Sequence, residues 1–275
     1  MSKRILAIHD LSGFGSTSLM AVIPIMSRYG IKVTALPTAL LSANTCYQHY
    51  AWLDTSAFMQ DTIMHYAELK QSFAAIYSGF LGSAAQVQTV SLAVQKLASE
   101  DTLVVIDPVM ADDGQLYGCY DDSIVSAMRE LVGKADIITP NFTEACLLAG
   151  FEYRADYSEQ NMQELCLRIA GLGPKSLIIT SVPDAYEKSS RVLHYSTEGG
   201  LSYYDCNYIP AFYPGTGDIF CSLLLALIIR GSAVSTAIPV AIDFIHKAIS
   251  FSLASGEDHR EGVLLEQLLW QEDIL

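Results

Sequence analysis

The sequence has few basic residues and no long apolar segment. Its 275 residues include 16 Lys and Arg against 30 Asp and Glu, which gives a formal net charge of −14. An acidic chain without a basic stripe is poorly suited to bind a nucleic-acid backbone or an anionic membrane. The longest apolar run, residues 219–229, has about half the length of a membrane span. We therefore expect neither nucleic acid nor membrane as a partner.

Paired cysteines and a secretion signal are also missing. The six cysteines form no C-x-x-C pair and most lie among apolar residues, which is typical of free thiols in a reducing compartment. The first residues turn polar too soon for a signal peptide. The sequence therefore predicts a cytoplasmic protein.

Two common nucleotide-binding motifs are absent. No G-x-x-x-x-G-K-[ST] loop occurs, which argues against a P-loop enzyme. The segment Gly13–Ser18 has serine where a dinucleotide fingerprint needs its third glycine, and no Asp or Glu occurs between Asp10 and Asp54 to hold a ribose. A Rossmann dehydrogenase is therefore also disfavoured, and the six histidines show no metal-ligand spacing.

Alternating apolar and helix-period segments predict one α/β domain over residues 1–275 with a mostly parallel sheet. Strands are predicted at Arg4–Ile8, Lys32–Leu36, Ala74–Tyr77, Leu103–Ile106, Asp136–Ile138 and Ser176–Ile179, and an edge hairpin at Val192–Tyr195 and Ser202–Cys206. Helices are predicted at Ser16–Tyr29, with a kink or late start at Pro24, and at Thr55–Gln71, Ala84–Ser99, Ser123–Val132, Thr143–Ala149, Ser158–Leu172, Asp218–Arg230 and Ala233–Ser255.

The most informative motif is Gly215-Thr216-Gly217-Asp218, which precedes the long apolar run. Two glycines let the backbone turn with its N–H groups outward at a helix N-terminus, which makes an anion site beside one carboxylate. Asp218 could instead be an ordinary N-cap residue. Capping does not require the flanking glycines, whereas close backbone approach to a transferring phosphoryl group does, so catalysis is favoured.

Carboxylates also follow the predicted strands, where ligands bind in open α/β sheets. Asp107 and Asp112 come after the fourth strand and Glu144 after the fifth, so we expect all three on one rim. Such oxygens suit a magnesium ion that carries nucleotide phosphates. The alternative is that Asp107 caps a turn before proline and that Asn141 and Glu144 form an ordinary helix start.

These blocks, taken in order, resemble the ribokinase-like vitamin kinases, and within them the pyridoxal and pyridoxamine kinases. The resemblance spans nearly the whole chain and rests on the blocks Asp10–Gly15, Leu41–Thr45, Tyr77–Phe80, Asp107–Asp112 with Thr139–Glu144, and Gly215–Asp218. It implies a three-layer α/β/α fold and ATP-dependent phosphorylation of the 5′-hydroxymethyl group of a vitamin B6 vitamer. It also implies magnesium with ATP, stimulation by potassium, and a homodimer.

The resemblance further implies a role for each matching residue. Asp218 would be the base, with the backbone of Gly215, Thr216 and Gly217 around the transferring group. For the other sites it implies Asp112, Thr139, Asn141 and Thr180 around ATP, Glu144 and Asp107 at the metal, and Asp10, Ser12, Thr45 and Phe80 at the vitamer. Residues 112–118 would form a flap. Asp10 replaces a common serine and Phe80 a common tyrosine, so the vitamer is left open.

Three alternatives also stay open at this point. A hydroxymethylpyrimidine kinase would use the same carboxylate and a similar first-strand loop. A sugar kinase is more distant, because the chain lacks an early Gly- and Asp-rich sugar-binding pattern. A non-catalytic sensor of nucleotide or vitamer is disfavoured by the intact Asp218 and Glu144.

Overall fold

The computed structural model describes residues 3–183, 190–207 and 209–270. These residues form eleven strands, nine α-helices and one 3-10 turn. In chain order the elements are β1 (Arg4–Ser12), α1 (Leu19–Arg28), β2 (Lys32–Leu41), β3 (Trp52–Asp54), α2 (Ser56–Glu68), β4 (Ala75–Ser78), α3 (Ala84–Leu97), β5 (Leu103–Ile106), β6 (Ala111–Asp112), β7 (Gln115–Leu116), α4 (Ser123–Val132), β8 (Ile137–Ile138), α5 (Phe142–Ala149), α6 (Glu159–Ala170), β9 (Ser176–Pro183), β10 (Ser190–Ser196), β11 (Gly200–Asp205), α7 (Thr216–Arg230), α8 (Val234–Ser255), the 3-10 turn His259–Glu261, and α9 (Leu265–Trp270).

The chain is organised as two compact units, divided between residues 62 and 63 and again between residues 207 and 208. The first unit contains both ends of the described chain, and the second contains the middle. Helix α2 begins in the first unit and ends in the second. The single domain expected over residues 1–275 stays a prediction.

In the first unit, β1 pairs in parallel with β2, and the short β3 pairs antiparallel with the end of β2. Residues 5–8 of β1 are fully buried, because this apolar stretch is covered on both faces. Helix α1 packs on β1 and β2 and also against α7, which in turn packs along α8. This packing places the start of α7 beside the start of α1.

In the second unit, the strands follow the order β4-β5-β8-β9-β10-β11. The first four run parallel, and β10 and β11 form the antiparallel hairpin expected at the sheet edge. Helices α5 and α6 pack against β9. Parallel pairing brings the carboxyl ends of β5, β8 and β9 to one edge, where Asn141 and Thr180 form a further bridge.

Most element predictions are confirmed. The bounds of β5 and α4 are as predicted. Helix α1 begins at Leu19, three residues after the predicted start, and it contains Pro24, so the helix does not start at this proline. Strands β1 and β2 continue four and five residues beyond the predicted ends, because polar Asp10 and Ser12 are buried rather than placed in a loop. The sequence did not predict β3, β6, β7 or α9, which are all six residues or shorter.

The described part of the structure contains one helix, α8, that does not meet the expectation that no segment is long and apolar enough to span a membrane. Its 22 residues are long and apolar enough to do so by length and composition alone. A core helix of a globular unit passes the same test, and α8 packs along α7 and carries an exposed Asp243–Lys247 ion pair. One third of the apolar stretch of α8 is buried inside the described structure.

Candidate active site

The motif Gly215-Thr216-Gly217-Asp218 forms the beginning of α7. Gly215 is the N-cap and has a φ of +83°, and a Cβ atom there would lie 2.5 Å from the carbonyl oxygen of Ser16. Both the backbone angle and the close approach require glycine. The first N–H groups of a helix have no acceptor within the helix, and the positive end of the dipole lies with them. This helix start therefore has the backbone geometry of an anion site, and its role toward a phosphoryl group stays a prediction.

Asp218 is the third residue of α7, with a side chain that is 14% exposed. Its Oδ2 accepts the backbone N–H of Ser18 at 2.9 Å, so it is bonded to the start of α1 and not to its own helix. The helix-cap alternative for Asp218 is therefore wrong. The carboxylate therefore lies beside the start of α7 and is held there from another segment.

Two neighbouring residues of β1 interact with Asp218. His9 is fully buried, and its Nδ1 lies 3.7 Å from Oδ1 of Asp218. Asp10 is 5% exposed and accepts a hydrogen bond from Ser12 Oγ at 3.0 Å. The pairing of β1 with β2 shifts register between His9 and Leu11, and such irregularities re-aim side chains. The site therefore includes His9, to which the sequence analysis gave no role.

The surroundings of Asp10 disfavour the charged form of its carboxyl group. Burial raises the pKa of its carboxyl group, and the nearby charge of Asp218 raises it further, while hydrogen bonds from the side chains of Ser18 and Ser12 lower it. Ser18 thus contacts both carboxylates, one through its hydroxyl and the other through its backbone. Its φ of 49° and ψ of −126° are unusual for a residue with a side chain.

The predicted vitamer residue Thr45 is exposed in a turn after β2. The turn is held by its buried neighbour Asn44, whose Nδ2 donates to the carbonyl oxygen of Arg260 at 2.7 Å and whose Oδ1 accepts the N–H of Cys46 at 3.0 Å. The sequence analysis assigned Thr45 and not Asn44. A buried amide that bonds two separate segments cannot be distinguished by sequence from an ordinary loop residue.

In the second unit, the predicted site residue Glu144 is almost fully buried, with 2% exposure. Its Oε1 accepts the N–H groups of Met110 at 2.9 Å and Ala111 at 3.4 Å, and its Oε2 accepts that of Asn141 at 2.8 Å. Asn141 returns a bond through Oδ1 to the N–H of Glu144 at 2.9 Å, which completes a capping box at the start of α5. The helix-start alternative for this pair is confirmed.

Burial raises the pKa of Glu144 to about 8, against the lowering effect of three backbone N–H bonds, and the charge of Asp112 adds to the rise. Oε2 accepts the backbone N–H of Asn141 and has a lone pair left for one water. The donor set therefore fits a magnesium ion reached through water rather than a direct ligand. Among the described residues, no three His, Cys, Asp or Glu side chains gather into a metal cage.

The remaining nucleotide-side residues lie near the carboxyl ends of the strands. Asp107 and Thr139 are buried, and their N–H groups bond to carbonyl oxygens at the ends of neighbouring strands, those of Ser78 and Ile106. Thr180 is half-buried, and its N–H donates to the carbonyl oxygen of Pro140 at 2.9 Å. Their roles toward ATP and metal stay predictions.

The predicted flap is a tight hairpin of β6 and β7. Its turn residues, Asp113 and Gly114, have φ values of 47° and 78°, as a two-residue type I′ turn requires. The N–H of Gly114 donates to Thr143 Oγ1 at 3.0 Å, so the turn rests on the start of α5. Asp112 is exposed at the base of the hairpin, where a phosphate-bound cation could reach it.

The predicted vitamer residue Phe80 is half-buried and forms an aromatic pair with Tyr120, whose ring centre lies 6.0 Å away. The hydroxyl of Tyr120 donates to the carbonyl oxygen of Leu81, which fixes the pair to the loop after β4. Tyr120 was not predicted, because it lies 40 residues from Phe80 in the sequence and only the fold brings them together.

The chain is similar to several known proteins along almost its full length. The profile of the family described as phosphomethylpyrimidine kinase matches residues 15–262. A Bacteroides thetaiotaomicron protein, provisionally named as a phosphomethylpyrimidine kinase and crystallised with pyridoxal, is 40% identical with a TM-score of 0.94, over 98% of this chain and 95% of that one. The pyridoxal kinase of Lactobacillus plantarum is 30% identical with a TM-score of 0.90, over 98% and 96%. The pyridoxal kinase of Rubrobacter xylanophilus is 26% identical over 273 residues, 96% of this chain and 93% of its own. The predicted ribokinase-like α/β fold is confirmed.

The first prediction concerns the glycine at the start of α7. We expect Gly215→Ala to lower the free energy of unfolding by about 1 to 3 kcal/mol, because alanine at this φ is strained and its Cβ meets the Ser16 carbonyl. Gly217→Ala is the matched control: its Cβ would meet nothing within 4 Å, and we expect a change within about 0.5 kcal/mol. Urea denaturation compares the two. Equal losses would show that the close approach at Gly215 does not constrain the fold.

The second prediction concerns the proton on Glu144. The pKa of this group is about 8 when folded and 4.5 in its ordinary state. Between these values the folded protein holds a proton that the unfolded chain has lost, so the free energy of unfolding should fall as pH rises through this window. Glu144→Gln should remove that part of the fall, whereas Glu100→Gln, at an exposed turn, should not. An unchanged pH profile for Glu144→Gln would contradict the assignment.

Proposed function

The chain belongs to the phosphomethylpyrimidine kinase family, and we propose that within it the protein is an ATP-dependent kinase that phosphorylates the 5′-hydroxymethyl group of a vitamin B6 vitamer, namely pyridoxal, pyridoxamine or pyridoxine. The observation that carries the proposal is the carboxylate of Asp218 beside the open helix start of α7, held by an N–H from another segment. Two of the similar proteins are named pyridoxal kinases, and a third was crystallised with pyridoxal.

Asp218 acts as the general base. A primary alcohol hardly ionises at neutral pH, so a carboxylate in hydrogen-bond reach accelerates its attack by removing the proton as the new P–O bond forms. The N–H groups of Thr216 and Gly217 at the helix start, next to the Gly215 turn, stabilise the negative charge of the transferring phosphoryl group. Little further covalent chemistry is required, because positioning and electrostatics supply most of the rate in phosphoryl transfer.

The vitamer and the nucleotide use different residues. For the vitamer we assign Asp10 with its partner Ser12, together with Thr45 and Phe80. Asp10 accepts from a ring substituent or a protonated ring nitrogen, and Phe80 gives apolar contact. For the nucleotide we assign Thr139, Asn141, Thr180 and Asp112, with residues 112–118 as the flap that excludes water from the phosphoryl group.

ATP enters as its magnesium complex in this proposal. The bound cation would neutralise phosphate charge, and Glu144 would act on it through water, since its own oxygens already accept backbone N–H groups. Asp107 and the exposed Asp112 are the other carboxylates that we assign to this region. Potassium stimulation is a further expectation, which rests on resemblance alone.

We also propose a cytoplasmic homodimer that binds neither nucleic acid nor membrane. Strand β3 is an edge strand whose three residues are all exposed, and its Leu53 is 59% exposed opposite Leu40 of β2. An exposed apolar edge strand is a common pairing surface for a second copy of a chain. Sedimentation equilibrium of the purified protein decides between monomer and dimer.

A second function, hydroxymethylpyrimidine kinase, has one specific observation in its favour. The matching family and the Bacteroides protein are both named for phosphomethylpyrimidine. Asp218 would serve either substrate in the same way. An ATP-consumption assay across pyridoxal, pyridoxamine, pyridoxine and hydroxymethylpyrimidine separates the two. A preference for hydroxymethylpyrimidine of more than about a hundredfold in kcat/KM would overturn the B6 assignment.

The third prediction tests the base. We expect Asp218→Asn to lower kcat by about a hundred- to ten-thousand-fold while nucleotide binding is retained, because the amide cannot accept the proton but leaves the helix start in place. The control is Asp243→Asn, which removes an exposed carboxylate of α8 paired with Lys247 and should leave kcat unchanged. A residual rate within tenfold of wild type would exclude Asp218 as the base.

The fourth prediction concerns substrate recognition. We expect Asp10→Ala to raise KM for the vitamer about 10- to 150-fold, which corresponds to about 1.5 to 3 kcal/mol for a hydrogen bond to a charged group, while KM for ATP is nearly unchanged. Asp10→Ser, which keeps one acceptor, should lose less. Equal effects on both KM values would mean that Asp10 shapes the whole site rather than binding the vitamer ring.

A further inference from the structure

The carboxylate of Asp218 is contacted on both of its oxygens within the first unit. Oδ2 accepts the backbone N–H of Ser18 at 2.9 Å. Oδ1 faces the imidazole of His9, with Nδ1 at 3.7 Å, which is an ion-pair separation and longer than a direct hydrogen bond. Because the Ser18 contact is the shorter, Oδ1 is the oxygen with more capacity left to accept a proton. The imidazole of His9, which lies opposite Oδ1, therefore influences how this oxygen is placed to accept a proton.

His9 is fully buried at the point where β1 loses its regular register with β2. Burying an imidazole costs free energy unless nearby polar groups compensate. Two carboxylates are such groups: Asp218 lies across from the ring, and Asp10 is the next residue and also interacts with it. The described residues thus place one imidazole next to the assigned base and the assigned vitamer ligand.

We propose that His9 is a positioning residue for catalysis, which holds the Asp218 carboxylate so that Oδ1 points at the substrate hydroxyl. This inference rests on the proposed function, because it takes Asp218 as the base. The imidazole acts through its Nδ1 edge, by attraction to Oδ1, and it offsets the repulsion that Asp218 experiences from Asp10. His9 does not exchange a proton with the substrate in this scheme.

The test uses three substitutions at His9 that separate its Nδ1 edge from its bulk. Asparagine places an amide nitrogen near the position of Nδ1, glutamine places one nearer to Nε2, and leucine has no polar atom. We expect His9→Leu to lower kcat about 10- to 100-fold, the usual cost of a misplaced catalytic group, with both KM values within about threefold of wild type. His9→Asn should restore most of the rate, and His9→Gln should not.

A merely structural role for His9 gives a different pattern. If the ring only fills space, His9→Gln, which is closer to histidine in volume, should be tolerated at least as well as His9→Asn. Equal rates for the two, or a loss confined to KM, would overturn the proposal. The control His194→Asn removes a histidine of β10 that bonds to Ser176, and it should leave kcat unchanged.

A readout without turnover makes the inference independent of the substrate. Each of His9→Asn and His9→Gln can be combined with Asp218→Asn. The single and double variants can then be compared by their urea midpoints. We expect the shifts of His9→Gln and Asp218→Asn to be non-additive, because each removes the same contact. Additive shifts would overturn the contact even in an active kinase. Absence of vitamer phosphorylation by the wild type would instead overturn the proposed function and leave the midpoint comparison decisive for His9.

Discussion

The hydrogen bond from the Ser18 backbone to Asp218 holds the assigned site of the first unit together. It connects the start of α1 with the start of α7, and the same carboxylate faces His9 of β1. The approach is possible because Gly215 has no side chain to collide with the Ser16 carbonyl. The N–H of Ser16 in turn donates to the Glu261 carbonyl at 2.8 Å, so the C-terminal region also supports the loop. A single half-buried carboxylate thus joins segments about 200 residues apart in sequence.

In the second unit, the carboxyl group of Glu144 likewise joins separate segments of the chain. It closes the helix start of α5 and at the same time holds the N–H groups of Met110 and Ala111, where the flap hairpin begins. Asn141 adds a bond from its Nδ2 to the Ala111 carbonyl at 2.7 Å. The flap base is therefore fixed while its turn, at Asp113 and Gly114, is exposed. The hairpin is thus held at its base by Glu144 and Asn141 and at its turn by Thr143.

The sequence predicted those features that depend on local pattern. The bounds of β5 and α4 were predicted, because a short continuous apolar run marks a strand buried on both faces and an apolar stripe of helix period marks α4. Strand β3 was missed, because three exposed residues at an edge carry no such period. Asp218 was found through its flanking glycines. The contact of Asp218 with Ser18 was not predicted, because a backbone N–H is the same in every residue except proline. His9 was not predicted either, because its importance comes only from the carboxylate opposite it.

Ser18 illustrates why such a residue escapes prediction and how its conformation is maintained. A φ of 49° with a ψ of −126° is rare outside glycine and costs about 1 to 3 kcal/mol. Glycine would remove that strain, but it would also remove the hydroxyl that bonds to Asp10. Serine supplies both bonds at once, its N–H to Asp218 and its hydroxyl to Asp10, and two bonds to carboxylates offset a strain of this size. The strained backbone thus couples the orientation of the assigned base to that of the assigned vitamer ligand.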